Sequence, residues 1–320
     1  VDNAALVRGL QKQAELTGVV KVEFIGAVSK GLEGKELAEM GDMAEAGVVA
    51  FSDDGHYVEN AAFMRRALEY SSMFNKMVID HAEDITLTKN GHMHEGIVSY
   101  ELGVIGRPAV AEDLAVARDI LLSEMTGGHI HIAHVSSKNT VDMVRRAKAK
   151  GLNVTCEVTS QHLSFTDEYL REYNPAFKMA PPIRSEDHRQ ALLEGLKDGT
   201  IDAIITDHAP HAYEEKDHEF CCAPNGFSGL ETSLAAVITN AYGPDKLSID
   251  QVVYYMSTRP AELMHLDAGV LEVGKPADIT VFSTTEKWTV DRNKFYTKGK
   301  VSPFDGMTVT GKAKLTVVDG

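Results

Sequence analysis

The stretch Ala203-Ile-Ile-Thr-Asp-His-Ala-Pro-His211 decides the fold. Its apolar run from Ala203 to Thr206 reads as a buried strand that stops abruptly in a carboxylate and imidazoles. Pro210 blocks further sheet pairing, so Asp207, His208 and His211 sit where the strand ends. A parallel α/β barrel presents its chemistry in this way, at the C-terminal rim of its strands.

Five further stretches read as strands: Lys21–Val28, Gly47–Gly55, Lys76–Asp84, His129–Ser137 and Asn153–Thr159. Between and around them, helical spacing covers a segment capped at Asp2, then Glu33–Ala46, Ala61–Phe74, Glu112–Met125, Val141–Ala149 and Ser185–Lys197. Unbroken alternation of strand and helix predicts a parallel sheet wound by right-handed crossovers. Six βα units are two short of a closed (β/α)8 barrel. The expected fold is therefore α/β, a TIM-type barrel whose strands 1 and 2 are missing from this chain.

After Thr258-Arg-Pro-Ala-Glu-Leu263 the character changes, and short strands at Gly274–Phe282, Trp288–Val290 and Ala313–Val318 predict a small β appendage. The expected division is 1–265 for the barrel, incomplete at its N-terminal end, and 266–320 for the C-terminal part of a small β domain. The chain opens at Val1 and closes at Gly320 inside what reads as a hairpin, so both ends read as cut.

Composition narrows the function. The chain has 320 residues, 43% hydrophobic and 25% charged, enough for a large core. A net charge of −15 with no basic cluster argues against a nucleic-acid partner. No apolar run approaches the ~20 residues of a membrane span, and no signal peptide is visible. Three cysteines, Cys156 and the adjacent Cys221 and Cys222, are no disulfide framework and point to a reducing cytoplasm.

Four polar residues stand at strand ends: Asp54, His81, His134 and Asp207. Carboxylates mixed with imidazoles suit zinc or a similar divalent ion. Singly, each is as readily a capping residue; the repetition at four strand ends is what points to a site. Asp53 remains an alternative to Asp54, because adjacent strand residues face opposite ways. His92-Met-His94 has the spacing of a ligand pair but lies in a Gly-flanked loop with no strand. His129 and His131 share one strand face and read as structural, and His208 as support for its neighbour.

At this point the residues resemble the amidohydrolase superfamily and, within it, the type I branch of bacterial dihydroorotases. The motifs are Phe51-Ser-Asp-Asp-Gly55, His81-Ala-Glu-Asp84, His131-Ile-Ala-His-Val-Ser-Ser137, Thr155-Cys-Glu-Val-Thr-Ser-Gln-His162, Lys178-Met-Ala-Pro-Pro-Ile-Arg184, Thr206-Asp-His-Ala-Pro-His211 and Gly229-Leu-Glu-Thr232. The resemblance implies a two-zinc barrel that interconverts N-carbamoyl-L-aspartate and L-dihydroorotate in pyrimidine biosynthesis. It implies metal ligands at Asp54 (bridging), His81, His134 and Asp207, with Asp207 also the general acid/base. Substrate contacts are implied at His211 and around Gly226, and the loop His211–Gly226 is a candidate lid. A small-molecule substrate, a homo-oligomer and association with aspartate transcarbamoylase are implied as partners.

The chain also departs from the family. The His-x-His pair of strand one, which would complete the first metal site, is absent, as is the carboxylate-binding asparagine after strand two. Ala180 stands where a substrate-contacting asparagine is common, and Gln161 where a histidine is usual. Hydantoinases and allantoinases are similar, but carry a carboxylated lysine where this chain has Asp54. Two other readings follow: a hydantoinase-like or allantoinase-like cyclic amidohydrolase, and a non-catalytic homologue acting as a scaffold for aspartate transcarbamoylase.

Overall fold

The apolar runs become short parallel strands, and the amphipathic segments between them pack as helices on the outside. The computed structural model describes residues 1–320. In chain order the strands are β1 (Ile25–Gly26), β2 (Ala50–Ser52), β3 (Val78–Asp80), β4 (Met93–His94), β5 (Gly106–Arg107), β6 (Ile130–Ile132), β7 (Val154–Thr159) and β8 (Ala203–Ile205). Six of them form one parallel sheet in the order β1-β2-β3-β6-β7-β8. β4 and β5 pair with each other inside the loop that follows β3.

Side-chain alternation divides the strands between two environments. Outward-facing Phe51, Val78, Ile130, Ile132, Cys156, Val158 and Ile204 join Phe63, Met64, Leu68, Val116, Val141, Val144 and Leu196 from the helices in the main core. Ala50, Met77, Ile79 and Ala133 form a smaller cluster with Leu263. Gly195 permits close helix approach, since a Cβ there would stand 2.9 Å from Val141 Cγ1.

The helix Ala61–Ser72 shows how one segment is specified. Asn60 accepts a hydrogen bond from the Phe63 amide at 3.0 Å, and Phe63, Met64, Ala67, Leu68 and Ser71 fall on the buried face. Asn60→Ala is expected to lower stability by about 1 kcal/mol, read by denaturant titration, because a first-turn amide loses its acceptor.

Two segments differ from the sequence reading. The expected helix Glu33–Ala46 is helical only over Met40–Glu45, because Gly31, Leu32 and Gly34 adopt positive φ and turn the chain first. The expected short C-terminal strands are one long antiparallel ribbon, β9 (Ile279–Thr289) with β10 (Thr308–Val317). The ribbon packs on the helix Ser233–Asn240, where the Thr310 amide donates to Thr239 Oγ1 at 2.8 Å. No helix is long and apolar enough to cross a membrane.

Candidate active site

The residues after β2 go separate ways. Asp53 is 3% exposed and accepts from the Val28 amide at 2.8 Å, the Ser29 amide at 3.0 Å and the Ser29 hydroxyl. It ties the chain after β1 to the end of β2, and these contacts turn it toward β1. The amide of Asp54 donates to Ser52 Oγ at 2.9 Å, and Ser52 Oγ donates to the Ile79 carbonyl at 2.9 Å. Asp54 is thereby the carboxylate that reaches the ends of β3 and β6.

There Asp54 Oδ1 lies 3.3 Å from His134 Nε2 and 3.4 Å from His81 Nδ1, and the two ring nitrogens are 2.9 Å apart. Donor atoms of a tetrahedral zinc site stand roughly 3.3 Å apart, so the spacing fits an ion. The chemistry fits as well: two imidazole nitrogens and a carboxylate oxygen facing one point need a proton or a cation between them. These three residues are the group able to hold a metal. His134 has φ +34°, a left-handed backbone of the kind that concentrates at functional sites.

Charge shows the same demand. Burial alone would raise the Asp54 carboxyl, but hydrogen bonds from His134 and His81 hold it well below the usual carboxylate range. Burial opposes charge on His134, yet the hydrogen bond and charge of Asp54, with Asp207 and Glu157 beyond, hold its imidazole up at about 9.

Asp207 does not join that trio. It sits beyond β8 with φ +41°, and burial raises its carboxyl, with His134 pulling down and Asp54 pushing up. Its charge and the trio's act on one another. Its backbone is fixed by Gln161, which receives a hydrogen bond from Ser160 Oγ at 2.6 Å and donates at 2.5 Å to the Thr206 carbonyl.

Four other histidines are engaged elsewhere. His94 lies on β4, not in an unstructured loop, and burial beside Arg184 lowers its imidazole to about 3. It receives an Arg184 Nη1 hydrogen bond at 3.3 Å. His129 Nε2 and His131 Nδ1 each lie 2.7 Å from Thr155 Oγ1. His208 Nδ1 accepts from the Gly229 and Leu230 amides, both at 3.2 Å.

His211 and Gly226 are built together. His211 Nε2 donates to the Asn225 carbonyl at 2.7 Å, and its Nδ1 faces Glu215 at 3.4 Å. A Cβ on Gly226, whose φ is +106°, would meet Ala209 Cβ at 2.7 Å. Two buried lysines clasp the intervening loop. Lys178 Nζ donates to the carbonyls of Cys221 at 3.0 Å and Ala223 at 2.6 Å, and Lys216 Nζ to those of Pro224 at 2.8 Å and Lys178 at 3.3 Å. Ala180 lies just beyond Lys178 and brings no polar side-chain atom. Losing even one charged hydrogen bond, about 1.5 kcal/mol, raises an open population about tenfold. Lys216→Met is therefore expected to speed limited proteolysis within 212–226 by that factor.

The sequence reading assigned no role to Glu112 and Arg184. Glu112 accepts from the Ser136 amide at 3.0 Å, the Ser137 amide at 2.9 Å and the Ser136 hydroxyl. Arg184 donates to Ser136 Oγ at 2.8 Å and stands 3.6 Å from Glu112. Together they fix the turn that follows His134. The one signal in the sequence is a charged residue closing each of two otherwise apolar or small stretches.

A family model described as Dihydro-orotase-like matches residues 2–140. The dihydroorotase of Acetivibrio thermocellus is 47% identical over 319 residues, covering 100% of this chain and 75% of that protein. The dihydroorotase of Pelotomaculum thermopropionicum is 48% identical, covering 100% and 74%. The chain belongs to the dihydroorotase family. Beyond that family, the L-hydantoinase (dihydropyrimidinase) of Arthrobacter aurescens superposes with TM-score 0.87 at 29% identity, covering 99% of this chain and 73% of that one. The dihydropyrimidinase of Brevibacillus agri, at 23% identity and TM-score 0.84, shares the fold. The expected barrel architecture and the expected dihydroorotase membership both stand.

Proposed function

We propose that this chain carries the ring-opening site of a dihydroorotase, interconverting L-dihydroorotate and N-carbamoyl-L-aspartate. The observation that carries the reading is Asp54: a carboxylate, where hydantoinase-like enzymes resemble one another in using a modified lysine, meets His81 and His134 at one point. Asp54, His81 and His134 would hold zinc, which supplies an activated hydroxide and polarises the ring carbonyl. Asp207, beyond β8, would be the further carboxylate this chain offers toward that site.

The chain's own residues supply the proton chemistry. Burial and the charge of Asp54 raise the Asp207 carboxyl, which favours its taking a proton and returning it to the leaving ring nitrogen. Gln161 keeps that carboxylate in place through Thr206. His211 and Gly226 shape the wall on which the substrate would rest, and Ala180 leaves its part of that wall without a side-chain donor. Residues 1–265 would form the catalytic barrel and 266–320 the appended β unit. A cytoplasmic homo-oligomer is the assembly this reading favours, with aspartate transcarbamoylase as a candidate partner.

The test is zinc content after desalting, followed by turnover of L-dihydroorotate and of hydantoin by the zinc-loaded full-length protein. Zinc retention with dihydroorotate turnover supports the reading. Turnover of hydantoin alone would replace it with the hydantoinase-like reading, toward which Ala180 leans. Bound transcarbamoylase without zinc or turnover would leave a scaffold.

A further inference from the structure

We propose that Cys221 and Cys222 form a two-sulfur site for trivalent organoarsenicals, placed on the lysine-clasped loop. Both thiols are free and exposed, whereas Cys156 is buried and burial pushes its thiol up, keeping it protonated. The backbone holds the pair in one tight turn: the Cys222 amide donates to the Glu219 carbonyl at 2.8 Å and the Ala223 amide to the same oxygen at 3.0 Å. Once one sulfur has bonded, the other is tethered beside the arsenic, and its effective concentration far exceeds that of any free thiol.

The donor count selects the ligand. Structural zinc needs four donors, and the His, Cys, Asp and Glu side chains converge as a set of three or more only at Asp54, His81 and His134. A monosubstituted arsenic(III) centre needs two sulfurs, its third bond being to its own carbon. In the reaction the arsenic–oxygen double bond and two S–H bonds break, and two As–S bonds form. Both thiol protons leave with the oxide oxygen as water; arsenic stays trivalent, and nothing is oxidised or reduced.

The site is wired to the loop. Lys178 Nζ donates to the carbonyls on either side of Cys222, those of Cys221 and Ala223. The Lys178 carbonyl in turn receives the Gly226 amide at 2.9 Å. Closing a ring across the Cys221–Cys222 peptide rotates the Cys221 carbonyl and pulls on this clasp.

The experiment uses phenylarsine oxide on the zinc-loaded full-length protein, with intact mass measured after desalting. One phenylarsenic group per chain is expected, with loss of water, stripped by dimercaptopropanol but not by excess monothiol. Cys221→Ser and Cys222→Ser are each expected to retain the group about a hundredfold less well, the second tether being gone; Cys156→Ser is expected to match the parent. An adduct that survives in both single variants, or none where maleimide labels both thiols, overturns the site. Hydrogen exchange over 211–226 is expected to rise on loading; unchanged exchange in a loaded chain overturns the link to the clasp.

Discussion

Asp54→Asn is expected to weaken zinc binding by more than about 100-fold, since even outer partners of metal ligands cost 10–100-fold when lost. The change removes the one negative charge among three converging donors and leaves two imidazole nitrogens 2.9 Å apart with no carboxylate to balance a cation. Elemental analysis after desalting checks it, and turnover is expected to fall with the metal. A pH signature accompanies the loss. In the metal-free chain His134 is held up at about 9, so at neutral pH it carries a proton that an incoming ion must expel. Zinc uptake is therefore expected to release acid and to tighten as pH rises toward about 9. The sign for stability runs the other way: the His134–Asp54 contribution is complete below the ordinary histidine range and fades as pH climbs through about 9. In Asp54→Asn both dependences are expected to flatten, which calorimetry in buffers of different ionisation enthalpy detects.

Arg184→Met is expected to destabilise the fold by about 3–5 kcal/mol, because it strands a buried charge. Glu112 is 4% exposed and Arg184 5% exposed, so neither can recover water when its partner leaves. Burial alone would raise the Glu112 carboxyl, but Arg184 and the Ser136 and Ser137 groups hold it below its usual range. Its contribution is accordingly present above the ordinary carboxylate range and lost as pH falls through the lowered value. The denaturation midpoint is expected to drop with unchanged slope. Pairing Arg184→Met with Glu112→Gln is expected to recover much of the loss, since no uncompensated charge remains. A single-variant loss near zero would mean that the amides of Ser136 and Ser137 suffice for Glu112.

The strand ends were legible because burial forces an apolar run to stop where the chain meets solvent. Asp54, His81, His134 and Asp207 all carry that mark, which says nothing of their directions: three of them converge and Asp207 stands apart. What separates Asp53 from Asp54 is invisible in the sequence: it depends on which carboxylate meets the Val28 and Ser29 amides, contacts about 25 positions away. Glu33–Ala46 misled because Leu37, Ala38 and Met40 to Ala44 mimic a helical stripe, while the turn at Gly31 to Gly34 and the bridge from Ser29 to Leu37 are set by tertiary packing. The ribbon looks like fragments in the sequence because its register shifts between Thr310 and Lys312 and again between Ala313 and Leu315, breaking the two-residue alternation. The roles of Lys178 and Lys216 are not legible in the sequence, since nothing local reveals that backbone carbonyls close around each ammonium.

That clasp has a consequence for how the enzyme can change. Its bonds end on backbone oxygens of residues 221, 223, 224 and 225, so what the lysines and His211 grip is the path of the chain rather than the identity of its side chains. Replacing an exposed residue such as Glu219 or Cys222 leaves every one of those acceptors in place. Chain shape and surface chemistry are thus under separate control, and selection can rewrite the loop's outer face while its inner frame is inherited intact.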